Sequence, residues 1–411
     1  MFRFGWHTGE FSQKTGVYPI NVVSGFLQHT KSSMKKFHPF IGLVFILWGA
    51  AVAVGQDNCW VAPCDPCGVA KSPFTFGGWV EMGVYTNSHG SKENGPMYTD
   101  SNRRTDFLMN QLYFYGEKEL NTRRGFDWGA RADFAYGVDS GSKQTFGDET
   151  FDYNWGTNRH GYGMSAYQLY GTLGYKDLSV KAGKFYTPVG WEGSASKDNF
   201  FYSHSYCYWI EPATHMGVLA DYNLTDRLTL SAGWTTGTDS SFANPNGNST
   251  ALAGFTYSLA DNVTVYYWFN GGRQFDLFTE ARYNHFVQSL CFEWEMSKRS
   301  AYVFQYNLHT DKELGGVKTS TYGINNHFLY RLNDRWGAGM RVEWLRDNAD
   351  YIFAPGDYYG LTFGLNWDPC KNVSIRPEVR YDWCRGAEAT PFADGTKSDQ
   401  ISAGFGVVLS F

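Results

Sequence analysis

What this chain lacks narrows it quickly. It has no apolar run long enough to cross a membrane as a helix: the longest, Phe40 to Val54, has about 15 residues, and a spanning helix needs ~20. Lys35 and Lys36 precede that run, and Ala51, Ala53 and Gly55 close it, the layout of a secretory signal peptide cut near Ala53 to Gly55. Met34 stands directly before the two lysines, so the first 33 residues read as an upstream extension from a misassigned start. Residues 1–55 are therefore set aside from the fold. There is no basic excess either, since the formal net charge is −5, and that removes nucleic acid as a partner. Nor is there a Pro/Ser linker or a break in composition after the export segment, so one large domain is the simplest division.

Chemistry-bearing patterns are scarce as well. His160, His215, His285 and His327 are isolated, with no H-x-x-x-H spacing. His204 and Ser205 are adjacent, which on an extended chain points a base and a nucleophile apart. Asp347-Asn348-Ala349-Asp350 has calcium-like composition, but a solvated loop is the plainer reading. Of seven cysteines, Cys59, Cys64 and Cys67 cluster in residues 56–73, yet no fourth Cys or His follows within the next 20 residues to complete a zinc site. One or two disulfides in an oxidising compartment account for them better. Cys207, Cys291, Cys370 and Cys384 are scattered and receive no role. The reading contains no catalytic residue, no metal and no cofactor.

What is present is aromatic and turn-rich sequence: 18% Phe, Tyr and Trp, with 46 glycines and a mean hydropathy of −0.40. In the last stretch Ile401, Ala403, Phe405, Val407, Leu409 and Phe411 alternate with Ser402, Gly404, Gly406, Val408 and Ser410. A period of two, greasy on one face and small or polar on the other, suits a strand with lipid on one side and water on the other. Sixteen such segments follow one another: 74–86, 107–118, 126–137, 164–175, 177–187, 214–224, 226–237, 250–259, 262–271, 286–296, 299–309, 320–332, 335–346, 358–368, 371–384 and 399–411. Each is near the ~10 residues that cross a bilayer at a tilt. Parity is untidy at Asn110 and Lys184.

The connections alternate in length. Short ones lie at 121–125, 176, 225, 260–261, 297–298, 333–334 and 369–370; long ones at 87–106, 138–163, 188–213, 238–249, 272–285, 310–319, 347–357 and 385–398. Seven turns and eight loops leave both chain ends on the turn side. The sequence thus predicts an all-β, closed antiparallel transmembrane barrel of 14–18 strands over residues 74–411, with short periplasmic turns and long extracellular loops.

Leu178-Ser179-Val180-Lys181-Ala182-Gly183-Lys184-Phe185-Tyr186-Thr187-Pro188-Val189-Gly190-Trp191-Glu192, the stretch Asn199 to Tyr206, Pro212 to Ala220 and the closing Gly404 to Phe411 resemble the OmpL-like β-barrel porins of the bacterial outer membrane. The resemblance implies outer-membrane lipid as surroundings, passive diffusion of small hydrophilic solutes, recognition of the Phe411 strand by the barrel insertion machinery and, by analogy with general porins, a homotrimer. A sugar-specific channel and a non-conducting adhesin are the alternatives.

A channel selects by its lumen charges and its narrowest point. Strand parity puts Arg131, Arg341, Glu343, Arg376, Glu378, Arg380 and Asp382 in the lumen. The loop 188–213 carries Glu192, Asp198 and Glu211 among Tyr202, Tyr206, Tyr208 and Trp209. Folded inward, its carboxylates would face the arginines across a constriction, and its aromatics would stack on solutes.

Overall fold

The computed structural model describes residues 72–92, 104–145, 151–152, 155–158, 160–241, 247–276, 281–313, 316, 318–348, 354–386 and 390–411. The expected signal peptide and upstream extension, and Cys59, Cys64 and Cys67, lie outside the described residues.

Sixteen strands form the barrel: β1 (Thr75–Asn87), β2 (Leu108–Lys118), β3 (Phe126–Gly137), β4 (Gly163–Tyr175), β5 (Leu178–Tyr186), β6 (Thr214–Thr225), β7 (Leu228–Thr238), β8 (Ser249–Ala260), β9 (Val263–Asp276), β10 (Ala281–Ser297), β11 (Ser300–Glu313), β12 (Lys318–Arg331), β13 (Trp336–Asp347), β14 (Gly356–Cys370), β15 (Val373–Arg385) and β16 (Asp399–Ser410). Each pairs antiparallel with its neighbours in sequence, and β16 returns to β1 to close the ring. The last residue finishes the seam, since Gly78 and Phe411 exchange two backbone hydrogen bonds of 2.9 Å. Closure is what lipid demands, because every backbone group left unpaired in hydrocarbon costs several kcal/mol.

The alternation of side chains becomes two surfaces. On β13, Arg341, Glu343, Leu345 and Asp347 are buried while Val342 and Trp336 are exposed. The outward face carries Phe363, Leu365, Val379, Ile401 and Phe405, which is the lipid band. Aromatic pairs mark its two rims: Trp336 stacks on Trp367 near the turns, and Tyr359 on Trp383 near the loops.

Two departures from the sequence reading, and its two breaks in parity, have physical causes. The loops expected at 272–285 and 310–319 are mostly strand, since β9 runs to Asp276, β10 starts at Ala281, β11 runs to Glu313 and β12 starts at Lys318. Beyond the lipid both faces of a strand meet water, so apolar alternation stops while the backbone ladder continues. Asn110 sits at a bulge where the β1–β2 register shifts, and it and Gln111 are both buried. Lys184 is where the β4–β5 ladder ends, against Leu169. Its ammonium lies 3.0 Å from Asp152 of the β3–β4 loop, a carboxylate that also accepts from Thr145, Ser165 and the Ala166 N–H. Finally, Cys370 is disulfide-bonded, whereas Cys207, Cys291 and Cys384 are free and buried.

An arginine on the lipid face should cost more with depth. Phe363→Arg is expected to lose about 2–4 kcal/mol, and Leu332→Arg in the β12–β13 turn only about 0–1 kcal/mol, in urea unfolding from lipid vesicles. Equal costs would contradict this placement of the lipid band.

Candidate functional site: the β5–β6 loop and the wall it meets

Residues 187–213, between β5 and β6, run into the lumen instead of capping the barrel. Ser194 to Ser196 and Phe201 to Glu211 are buried throughout. A buried loop must find partners for its backbone polar groups, and here the wall supplies them. The Arg341 guanidinium donates to the Ser203 carbonyl at 2.7 Å and the His204 carbonyl at 3.1 Å. Arg380 donates to the same His204 carbonyl at 2.8 Å. Arg376 donates to the carbonyls of Ser196 at 2.8 Å and Asn199 at 2.7 Å. Wall carboxylates take the N–H groups: Glu378 accepts from Tyr202 and Ser203 at 2.9 and 3.2 Å, and Glu343 from Tyr206 at 2.7 Å.

The charges answer one another as well. Arg341 lies 3.1 Å from Glu192 of the loop and 3.0 Å from Glu343 of its own strand. Arg380 contacts Asp382 at 2.8 Å and Glu343 at 3.2 Å, and Arg376 pairs with Glu81. Glu192 also accepts the N–H and hydroxyl of Ser205, which caps the helical turn Tyr206–Trp209. The separation expected between loop carboxylates and wall arginines across an open gap is therefore absent at Glu192. Burying a charge unpaired costs too much, so this pair closes to contact. Asp198 meets no arginine; it pairs with Lys197 at 2.9 Å, largely exposed. Glu211 is held by the side-chain amides of Gln305 and Asn307 on β11. Arg131 belongs to a separate cluster, 2.9 Å from both Asp133 and Glu117.

The loop aromatics do not wait for solute. Tyr202 donates to Asn110 at 3.0 Å, and Tyr206 to Asp382 at 2.6 Å. Tyr208 stacks on His204 with centroids 3.7 Å apart, Trp209 stands edge-on to Tyr208, and the Lys143 ammonium lies over both. All four rings are buried, because packing against the wall leaves no face open to a passing sugar. Two cross-strand glycine pairs make room for the rings. A Cβ on either Gly83 or Gly406 would meet the Tyr202 ring at 2.5 Å; on Gly339 or Gly364 it would meet Phe200 at 2.4 Å or Phe201 at 2.9 Å. Sequence reading missed these slots, although glycine repeated at lumen parity was their signal.

Apolar packing completes the loop's circuit. Val189 joins Phe185, Leu219, Leu252, Trp268 and Val287 on the β5–β10 side, and Ala195 joins Trp79, Tyr113 and Tyr167 on the other. On the turn side of the loop a cavity of about 500 Å³ opens, lined in part by Trp191, Lys197, Asp198, Phe200 and Lys371. Two of the histidines read as isolated have close partners: Trp191 packs on His327 with centroids 4.3 Å apart, and His285 meets Asp311 at 2.8 Å.

A closed sixteen-stranded barrel with an apolar outer band, a charged interior and one long loop folded into the lumen has the architecture of a bacterial outer-membrane porin. Residues 73–411 match the family described as "Putative beta-barrel porin-2, OmpL-like", and the chain belongs to that family. Its fold is similar to that of the anion-selective porin from Comamonas acidovorans, with a TM-score of 0.58 at 9% identity, over 82% of this chain and 99% of that one. The outer membrane channel DcaP of Acinetobacter baumannii gives 0.56 at 10% identity, over 82% and 97%. OmpT of Vibrio cholerae gives 0.53 at 12% identity, over 82% and 97%. No curated protein matches the sequence significantly. The protein is an outer-membrane porin.

Burial pushes the Glu211 carboxyl well above the usual glutamate value of 4.5, with nearby Glu192 adding to the rise. Its folded value is raised, so its contribution to the docked loop is complete below 4.5 and is lost as pH climbs through the raised value. Channel current should therefore be quieter at pH 5 than at pH 9, and Glu211→Gln should flatten the difference. A wild-type current with pH-independent noise would contradict this anchor.

Proposed function

We propose that this porin passes small hydrophilic solutes by passive diffusion, and that the β5–β6 loop sets the size limit. The observation that carries the reading is the attachment of this loop to both sides of the lumen. Arg341, Arg376 and Arg380 hold it on one side and the Val189 cluster on the other. What remains for solutes is the space between the loop and the wall. There Glu117, Arg131, Lys181, Asp221 and Glu293 are only partly buried, so the path is polar and of both signs. Glu343, Glu378 and Asp382 act on solutes indirectly, by fixing the loop. Burial of Tyr202, Tyr206, Tyr208 and Trp209 argues against a sugar channel built on their faces, and the polar path favours conduction over a purely adhesive role.

Proteoliposome swelling tests this directly. Pentoses should enter, hexoses more slowly, and disaccharides hardly at all, without saturation. Exclusion of every solute by a folded barrel would overturn the proposal, and saturable entry of one sugar class would replace it with a specific channel. Export with cleavage near Ala53 to Gly55, insertion guided by the Phe411 strand and a homotrimeric assembly complete the proposal. Intact and native mass of the membrane-extracted protein checks the cleavage and the trimer; a chain that retains residues before Ala53, or a monomer, would contradict them.

A further inference from the structure

His285, His309 and Asp311 come together on the paired strands β10 and β11, near their loop ends. His285 and Asp311 are directly opposite in the ladder, and His309 lies two residues before Asp311 on the same face. The imidazole Nδ1 of His285 is 2.8 Å from Asp311 Oδ1, and Nε2 of His309 is 3.3 Å from the same oxygen. Both histidines are 4% exposed, and one ligand atom from each of the three groups lies within 4.8 Å of the others.

The hydrogen bonding of His309 limits what can sit there. Its Nδ1 is 3.1 Å from the carbonyl oxygen of Ile210. A carbonyl only accepts, so that nitrogen carries a proton. In a neutral ring Nε2 then holds a lone pair, and this lone pair points at a carboxylate. Such an arrangement is repulsive unless a second proton or a metal cation lies between them. Metal-ligating histidines commonly donate one ring N–H to a backbone carbonyl, as His309 does to Ile210, which leaves the lone pair of the other nitrogen for a metal.

We propose that His285, His309 and Asp311 form a binding site for a divalent first-row transition ion of the zinc class. Two imidazoles and one carboxylate are the ligand types such ions take, with a water filling the fourth position. Bonds of ~2.0–2.1 Å at a tetrahedral ion hold ligand atoms roughly 3.3 Å apart. The His309–Asp311 contact already has that spacing; the His285 contact opens slightly as its Nδ1 proton shifts to Nε2, and the widest pair of ligand atoms, up to 4.8 Å apart, closes toward it. The ion would also tie the β10–β11 wall to the loop, because His309 holds both the metal and Ile210.

The test uses the full, untagged chain in detergent at pH 8, where ordinary imidazoles are neutral. Titration with zinc chloride followed by calorimetry should give one saturable site per chain. Cobalt(II) substitution should give visible bands without thiolate charge-transfer absorption. Affinity should fall at least tenfold in His309→Gln and, as a second variant, in His285→Gln, each checked for a folded, heat-modifiable barrel. Absence of saturable binding at pH 8 would mean that a proton alone fills the gap, and would overturn the proposal. Binding that survives both variants, or cobalt spectra dominated by thiolate, would place the ion elsewhere and overturn it equally.

Discussion

Arg341, Arg376 and Arg380 place three guanidinium groups at the centre of the molecule, each 0–2% exposed. A guanidinium does not give up its proton, so these charges persist and must be met by acceptors. Among the described residues the wall supplies Glu343, Asp382, Glu81 and the Thr362 hydroxyl, too few for fifteen N–H donors. The remaining acceptors come from one loop: the carbonyls of Ser196, Asn199, Ser203 and His204 and the carboxylate of Glu192. The loop's inward course follows from that need as much as from its own apolar rings. Phe201 lies under Arg341 and Tyr206 under Arg380, adding cation–π contact to the hydrogen bonds.

A second constraint acts from outside. Lipid requires every strand to be paired, so the barrel closes and its interior becomes an enclosed space of fixed width. A loop entering that space must then meet walls on all sides. The cross-strand glycines Gly83 and Gly406, and Gly339 and Gly364, thin the wall where Tyr202, Phe200 and Phe201 arrive. His204 shows the result. Burial, with Lys143 and the three arginines adding to it, holds its imidazole well below the usual range. It is therefore neutral, stacks on Tyr208, and gives only its backbone carbonyl to the arginines. Polarity along the bore is thus left to the half-buried groups around Arg131, Lys181 and Glu293.

Most of the barrel was legible in the sequence because alternation reports which face meets lipid. Strand ends were readable only where lipid ends with them. Past the membrane, Arg273, Gln274 and Asp276 on β9 carry no apolar signal, and the extension of β9–β12 was read as loop. The same blind spot hid His285 and Asp311, which lie just beyond the expected ends of their strands. Parity correctly put Arg341, Arg376 and Arg380 inside. Whether loop acids would face them across water or touch them depends on three-dimensional packing, and local periodicity carries no information on that. Gln305 and Asn307, which grip Glu211, look like ordinary lumen amides until the loop is in place. Cys370 was unreadable for the same reason, since a disulfide joins positions that no local pattern relates.

The central claim is that the β5–β6 loop, pinned by buried arginines, sets the width of the channel. Single-channel conductance in a planar bilayer, before and after deletion of residues 193–208, tests it most directly once both proteins are shown to be folded barrels. A several-fold rise in conductance with weakened size exclusion is the predicted result. An unchanged conductance would contradict the account, because the narrowest point would then lie elsewhere.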